Sequence, residues 1–200
     1  MDIYDQLKRY TDFSLGKSSV RCELVYQNIF LDNIIFTGYD LNNSNFLEVQ
    51  FDHCDFSNVY LSGASLCGST FNSCIFKQNI FRKGFCDYAK FESTTFDFLD
   101  SFRTSYYENI FVNVQVQNAK MERSYFDNSE FSNTEFTNVE FREVSFDNCK
   151  FKNVKFKKCT FVKTSFKNIN DINSINFEDA NILLDSQIIS NLGNEIKCYL

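Results

Sequence analysis

Few residues in this chain could do acid–base or nucleophilic chemistry, because His53 is the only histidine. A Ser-His-Asp or Cys-His arrangement could therefore be built only around this one imidazole. The adjacent Cys54 precedes Phe56 by two residues, a position that we expect to face inward. His53 is then expected on the outside, and this placement favours a surface histidine over a catalytic one.

Motifs that hold metals, nucleotides or redox centres do not occur in the sequence. There is no C-x-x-C pair, no phosphate-binding glycine loop and no His-rich metal spacing, and the chain has 6 glycines in all. We therefore predict no catalytic, metal-binding or cofactor-binding residue. The sequence favours a protein that is not an enzyme.

The cysteines are predicted to be reduced. Cys54, Cys74, Cys149 and Cys159 each lie two residues before a phenylalanine, where they suit small buried positions. Cys54 and Cys74 are twenty residues apart and come within disulfide reach if successive coils stack there. No apolar run approaches the roughly 18 residues of a membrane span, and no secretory signal is recognisable, so we expect a reduced, cytoplasmic protein.

The element that must position every side chain is a repeat of five residues. Counting in fives from Leu31 to Phe166 visits twenty-eight positions, nineteen of which are phenylalanine. A period of five fits neither a helix nor a strand, and it indicates a solenoid whose units bury their apolar residue by stacking. A core filled in this way leaves no dry cleft that would shift the pKa of a carboxylate.

The repeat also has a small residue two positions before each large one, as at Val139, Val144 and Cys149. This pattern resembles the pentapeptide-repeat family. The resemblance implies an all-β fold, a right-handed quadrilateral β-helix in which four units make one coil. Residues twenty apart would then form columns, two of which are Phe51, Phe71, Phe91, Phe111, Phe131 and Phe151, and Phe36, Phe56, Phe76, Phe96, Val116, Phe136 and Phe156.

The repeat is irregular from Asp97 to Asn109, and this segment has two interpretations. The first is a projecting loop with exposed aromatic residues that contact a partner. The second is a run of irregular coils with buried tyrosine. The candidate partner-binding residues of this segment are Phe98, Asp100, Phe102, Arg103, Tyr106 and Tyr107.

Both ends of the solenoid are expected to be capped. Residues 1–30 are predicted to hold a cap, with a helix at residues 1–10, and imperfect first coils, because Leu15, Val20, Val25 and Phe30 keep a count displaced by one. The repeat itself is predicted over residues 31–182. It slips by one after Phe166, so that Ile172, Phe177 and Ile182 become its large residues.

Residues 183–200 are predicted to form a short C-terminal helix followed by a strand. This end is expected to serve either as a lid or as the interface of a homodimer. The candidate dimerisation residues are Leu184, Ile188, Leu192, Ile196 and Leu200.

Charge changes sign along the chain, whose formal net charge is −6. From Asp32 to Asp147 the balance is 8 − 17 = −9, and seven lysines without an acid follow between Asn148 and Asn168. Divided among four sides by an unbroken count, the acids number about four, three, five and five, which predicts no single acidic stripe. An acidic rod could still replace DNA in a protein groove, and a solvated surface that keeps the chain in solution is the competing interpretation.

Local sequence resembles the Qnr-type quinolone-resistance proteins within this family. Phe36-Thr37-Gly38, Leu41, Asn43-Ser44 and Phe46 resemble their opening coils, Arg103-Thr104 their projecting loop, and Gln187 to Gly193 their terminal helix. The resemblance implies a homodimeric, non-enzymatic rod that binds DNA gyrase or topoisomerase IV and shields it from fluoroquinolones. It adds no catalytic residue. We also expect no direct binding of nucleic acid, no membrane association and no cofactor.

The sequence also departs from that pattern. The Qnr-type pattern also has a smaller loop before the projecting one, and this sequence has no room for it near residues 51–56. In addition, about two dozen residues precede the point where the resemblance to the opening coils begins. The alternative function is a structural or scaffold solenoid that binds another protein through its walls.

Overall fold

The computed structural model describes residues 2–169, 172–184 and 187–198. One α-helix, α1 (Ile3–Ser14), precedes a series of short strands, and two 3-10 helices lie at Ile172–Ser174 and Asn194–Cys198. The strands are β1 (Val25–Gln27), β2 (Phe30–Asp32), β3 (Asn45–Leu47), β4 (Gln50–Asp52), β5 (Thr70–Asn72), β6 (Ile75–Lys77), β7 (Ile80–Arg82), β8 (Lys90–Glu92), β9 (Thr95–Asp97), β10 (Asp100–Phe102), β11 (Ile110–Val112), β12 (Gln115–Gln117), β13 (Lys120–Glu122), β14 (Glu130–Ser132), β15 (Glu135–Thr137), β16 (Glu140–Arg142), β17 (Lys150–Lys152), β18 (Val154–Lys157), β19 (Thr160–Val162), β20 (Ile175–Glu178), β21 (Ala180–Leu184) and β22 (Gln187–Leu192).

These strands form an all-β solenoid of about eight turns, in which residues twenty apart pair in parallel and create four stacks. Stack 1 holds β1 and β3 and continues as single bridges from Ser65 to Ser165. Stack 2 holds β2, β4, β5, β8, β11, β14 and β17. Stack 3 contains β6, β9, β12, β15, β18 and β20, and stack 4 contains β7, β10, β13, β16, β19, β21 and β22. Among the described residues, no helix has the length and hydrophobicity that a membrane crossing requires.

The interior consists of aromatic rings stacked along each column. The Phe111 and Phe131 rings are nearly parallel with centroids 4.7 Å apart, and Phe131 lies 5.2 Å from Phe151 in the next coil. Rings from neighbouring stacks meet edge to face, as Phe136 and Phe141 do at 5.6 Å. Both arrangements are favoured by the quadrupoles of the rings. The residues of the two predicted phenylalanine columns are buried, so these columns are confirmed as continuous core.

The small residue of each unit also points inward, and where it is serine or threonine its hydroxyl donates a hydrogen bond to a backbone carbonyl. The Thr104 hydroxyl donates to the Phe81 carbonyl at 2.7 Å, and the Ser129 hydroxyl donates to the Tyr106 carbonyl at 2.9 Å. Each bond reaches back 23 residues to the previous coil. Serine, threonine and cysteine are therefore suited to this position, because a buried carbonyl without a donor is costly.

Each unit ends in a residue with left-handed backbone, and this explains the many asparagines. Asn113, Asn133 and Asn153 have φ of 55°, 49° and 54°. Asparagine tolerates this conformation better than other residues with a side chain. The amides also bond in a ladder, since Asn133 donates to Asn113 at 3.1 Å and Asn153 donates to Asn133 at 2.9 Å.

Of the two interpretations of residues 97–109, the projecting loop is not present and the run of irregular coils is correct. β10 pairs with both β7 and β13, so that Ser101 lies between Phe81 and Met121. Tyr106 is buried and stacks on Phe126 at 4.6 Å. The repeat tolerates these residues because their hydroxyl groups bond to each other inside the core.

At the N-terminus the predicted register, in which Val25 and Phe30 are the large residues of their units, is wrong. Tyr26 pairs with Phe46, so the main register continues back to the first strand, and Val25 and Phe30 are exposed residues that lie one position before the inward ones. The helix expected at residues 1–10 runs from Ile3 to Ser14. Its Leu7 and Tyr10 are buried, and this packing covers the open end of the core.

At the C-terminus the predicted slip by one is confirmed, because Phe156 pairs with Phe177 and Phe161 with Ile182. The predicted C-terminal helix is wrong, since β22 runs antiparallel to β21. A hairpin pairs the exposed edge of the last coil, which a helix cannot do. Ile196 lies in a 3-10 helix rather than in the predicted strand, and Leu200 lies outside the described residues.

We predict that Phe131→Ala destabilises the fold by about 3–5 kcal/mol, because the ring is fully buried between two others and leaves a cavity. Urea denaturation followed by circular dichroism measures the loss. The matched control is Phe98→Ala, since Phe98 is exposed at a left-handed corner with φ of 56° and should not destabilise the chain when removed. Equal losses in the two variants would contradict this account of the core.

Candidate functional site

Aromatic rings and small side chains fill the interior of the described coils, so the surface along the coils that a partner can contact is the outer side of the four stacks. The outer sides carry different charges, and the difference follows from the twenty-residue register. Residues at equivalent positions in successive coils stand directly above one another. A charge type repeated at one position therefore becomes a line of charge along the solenoid.

Stack 1 carries such a line. Its outward residues include five acids and one base, namely Glu48, Asp87, Glu108, Asp127, Asp147 and Lys167. Asp87, Asp127 and Asp147 occupy one equivalent position, and in the coil between the first two Glu108 lies one residue beyond it, next to Tyr107. We call these four acids, which stand in consecutive coils, the acidic stripe. At about 4.8 Å per coil, the stripe extends over roughly 14 Å.

The aspartates of the acidic stripe are fixed in place by the next coil. The Asp87 carboxylate accepts the backbone N–H of Tyr107 at 3.0 Å, and Asp127 accepts that of Asp147 at 3.1 Å. Each also accepts a serine hydroxyl, from Ser105 and Ser145 respectively. Since a carboxylate can accept several hydrogen bonds, each retains free acceptor sites toward solvent.

Aromatic residues lie beside the acidic stripe. Phe85, Tyr88 and Tyr125 are exposed to 53%, 61% and 43%. Tyr88 meets Tyr107 edge to face at 5.9 Å, and the Glu108 carboxylate bonded to the Tyr107 hydroxyl raises the pKa of that phenol. Exposed tyrosine and phenylalanine next to carboxylates are typical of a surface that binds cationic side chains.

The outer side of stack 4 has the opposite character. Its basic residues outnumber its acidic ones, and they are Arg82, Lys83, Arg103, Lys120, Arg123, Arg142 and Lys163 against Asp40, Asp100, Glu122, Glu140 and Glu143. Several of these charges pair, as in Arg123–Glu143 at 2.8 Å and Arg142–Glu140 at 2.8 Å. The Arg123 guanidinium lowers the pKa of the Glu143 carboxyl. A count of acids alone does not reveal the acidic stripe, because the four sides differ in how many bases accompany their acids.

The predicted partner-binding residues at 98–107 do not form one patch. Phe98 is exposed at the corner after stack 3, whereas Asp100 and Phe102 lie on stack 4 and Tyr107 lies on stack 1. The Arg103 guanidinium lies 5.2 Å from the centre of the Phe102 ring. Tyr106 is buried and therefore cannot contact a partner.

The predicted dimerisation residues are also separated by the fold. Leu192 and Ile196 are buried within the same chain. Leu184 and Ile188 lie in the terminal hairpin, where Leu183 pairs with Ile188. Leu200 lies outside the described residues, and dimerisation stays a prediction.

The coil determines where two groups of polar residues lie, namely the lysines between residues 150 and 167 and a group of two aspartates and a histidine. The seven lysines at 150, 152, 155, 157, 158, 163 and 167 span one full turn, so they surround the solenoid rather than form a patch. Lys150 pairs with Glu130 at 2.6 Å and Lys155 with Glu178 at 2.8 Å. On stack 2, Asp32, Asp52 and His53 come together. His-rich spacing in the sequence does not reveal this group, because it contains a single histidine and its two aspartates lie in different coils.

A chain of hydroxyl groups replaces the phenylalanine columns where the repeat is irregular. Ser101 Oγ lies 3.1 Å from Tyr106 Oη and 3.2 Å from Ser124 Oγ. Burial raises the pKa of Tyr106, so its phenol stays protonated and available as a donor. This cluster is structural.

Comparison with known proteins supports the fold. Two models of pentapeptide repeats match this chain, over residues 111–160 and 27–58. A solved structure of QnrB1, a plasmid-mediated fluoroquinolone resistance protein, is similar with a TM-score of 0.50 at 17% identity, covering 78% of this chain and 81% of that one. The pentapeptide-repeat protein Rfr23 from the cyanobacterium Cyanothece 51142 has a TM-score of 0.46 at 15% identity, covering 74% of this chain and 98% of that one. No curated protein matches the sequence.

We predict that Tyr106→Phe destabilises the chain by about 1 kcal/mol, because Ser101 loses one of its two buried hydroxyl partners. Thermal unfolding measures this effect. The control is Tyr107→Phe at the next position, which faces outward and should leave stability within about 0.5 kcal/mol of the wild type. A larger loss for Tyr107→Phe than for Tyr106→Phe would show that the buried hydroxyl chain does not stabilise the core.

Proposed function

Because the chain is a pentapeptide-repeat protein, we propose that it is a non-enzymatic scaffold that binds other proteins through the outer side of its coils. The observation that carries this proposal is the acidic stripe with its exposed aromatic neighbours. The Asp87 and Asp127 carboxylates are held by hydrogen bonds from the next coil, so they lose little freedom when a partner binds. A basic protein surface is the complementary partner.

The more specific form of the proposal is that this basic surface is the DNA-binding groove of DNA gyrase or topoisomerase IV. The stripe presents one negative charge about every 4.8 Å, and one DNA strand presents one about every 3.4 Å. A groove lined with arginine and lysine for DNA would therefore meet a comparable line of charge. By occupying it, the protein would act as a DNA mimic and protect the enzyme from fluoroquinolones or similar poisons.

Several features belong to the same proposal. They are a right-handed, quadrilateral coil, a homodimer joined through the C-terminal hairpin, and action in the cytoplasm. A homodimer would place two acidic stripes on one long rod, so that two grooves or two halves of one groove could be engaged. We propose no direct contact with nucleic acid and no membrane association.

An alternative partner is favoured by one observation. Duplex DNA is negative on both strands, whereas only stack 1 carries a strong excess of acids. Stack 2 has four acids and three bases, and stack 3 has five acids and four bases, which gives each a balance of −1. A scaffold that binds a single basic strip on some other protein needs only one acidic side.

The test is a supercoiling and cleavage assay with gyrase and with topoisomerase IV, in which the full chain is titrated with and without a fluoroquinolone. The stripe variant is Asp87→Asn, Glu108→Gln and Asp127→Asn together. The control variant is Asp100→Asn, Glu122→Gln and Glu140→Gln, which removes the same charge from stack 4. Removing residues 97–109 is not a usable control, because this segment is part of the coil.

We expect the wild type and the control variant to relieve drug-stabilised cleavage. The stripe variant should need about tenfold more protein, since three charged contacts are weakened. The effect should fall as salt rises from about 0.05 M to 0.2 M, because exposed charges are screened. Inhibition of supercoiling without relief of cleavage would support binding in the DNA groove and refute protection from the drug. No effect of the wild type on either enzyme would refute the topoisomerase proposal, and equal loss in both variants would refute the acidic stripe as the contact surface.

A further inference from the structure

A second cluster of side chains lies on stack 2, away from the acidic stripe. Asp32 in β2 and Asp52 in β4 are register partners, and His53 follows at the corner. One potential ligand atom from each residue lies within 4.8 Å of the others. His53 Nδ1 is 3.6 Å from Asp32 Oδ1 and 3.9 Å from Asp52 Oδ1.

These separations are too long for hydrogen bonds, which require about 2.7–3.2 Å. They are closer to the spacing of ligands around one ion. A metal that binds nitrogen and oxygen at about 2.0–2.2 Å keeps neighbouring ligand atoms about 3.0–3.6 Å apart, depending on whether the geometry is octahedral or tetrahedral. The two separations from His53 are within a few tenths of an ångström of such a shell, and the two carboxylate oxygens lie within 4.8 Å of each other.

The charges of the cluster also point to a cation. Asp32 and Asp52 are stacked in adjacent strands, where like charges repel. Within the described part of the chain, neither carboxylate has a lysine or arginine partner, and His53 is the only basic group beside them. The amide of Asn72 donates to Asp52 and fixes the orientation of that carboxylate, as an outer-shell partner does in metal sites.

We propose that Asp32, Asp52 and His53 form a surface site for a divalent transition metal such as Zn²⁺ or Ni²⁺. One imidazole nitrogen and two carboxylate oxygens suit these ions better than Mg²⁺ or Ca²⁺, which prefer oxygen alone. His53 and Asp32 are both exposed, so the remaining coordination positions are open to water. The site is independent of the proposed topoisomerase binding, because it uses other residues on another stack.

The test is a titration of the full chain with ZnCl₂, followed by calorimetry and by NMR of the imidazole nitrogens. Because His53 is the only histidine, its two nitrogen signals report this site alone. We expect saturable binding of one ion below about 1 mM, with a shift of the Nδ1 signal larger than that of Nε2. Asp32→Asn should weaken the affinity by about tenfold or more, and His53→Asn should abolish the saturable binding.

His53→Asn is a suitable variant, since Asn113, Asn133 and Asn153 already occupy the same corner of later coils. The control is Glu92→Gln, which removes a stack 2 carboxylate that pairs with Lys90 at 2.5 Å. Its Zn²⁺ affinity should equal that of the wild type. Unchanged affinity in His53→Asn would assign the binding to the partly exposed thiols of Cys22 and Cys67 and overturn the site. An imidazole that responds to pH but not to Zn²⁺ would reduce the cluster to an ion pair.

Discussion

The structure depends on one constraint, which is that an aromatic ring in one coil must lie on the ring twenty residues later. The rings in a column are about one strand spacing apart, as Phe56 and Phe76 are at 4.6 Å with planes within 1°. Ring stacking and strand pairing therefore share the same repeat distance. This match makes phenylalanine suitable at nearly every inward position, and it also fixes the register, because a slip of one residue would turn the ring outward.

Everything on the outside follows from that register. Each outward position recurs above itself, so hydrogen-bonded ladders form between equal residues, as in the asparagine ladder at the corners of stack 2. The same rule brings like charges together. The acidic stripe and the Asp32–Asp52 pair are both consequences of it, and both are costly unless a cation or a cationic partner compensates them. The repeat of the core therefore aligns the outward positions, and the residue types at those positions determine which surface features form.

Two departures from the usual repeat are accommodated in different ways. Ser101, Tyr106 and Ser124 interrupt the phenylalanine columns without breaking the coil, because their hydroxyl groups bond to one another. Gly84 is accommodated sterically, since it stands at a small inward position where a Cβ would lie 2.0 Å from the Phe81 ring. From the sequence alone the first departure suits a loop and irregular coils equally, since a sequence pattern does not reveal hydroxyl bonds between residues 23 apart.

The period of five, the size alternation and the two phenylalanine columns were determined by the sequence alone, because hydrophobic burial requires the same residue types at every turn. The slip after Phe166 was also readable, since Phe177 and Ile182 keep the new count. Tertiary structure decided the rest. The terminal hairpin formed instead of a helix because an open strand edge needs a partner, and four-residue spacing alone does not reveal that edge. The acidic stripe depends on which basic residues share its side, and the Asp32, Asp52 and His53 cluster depends on two coils lying in contact, so both are properties of three-dimensional proximity.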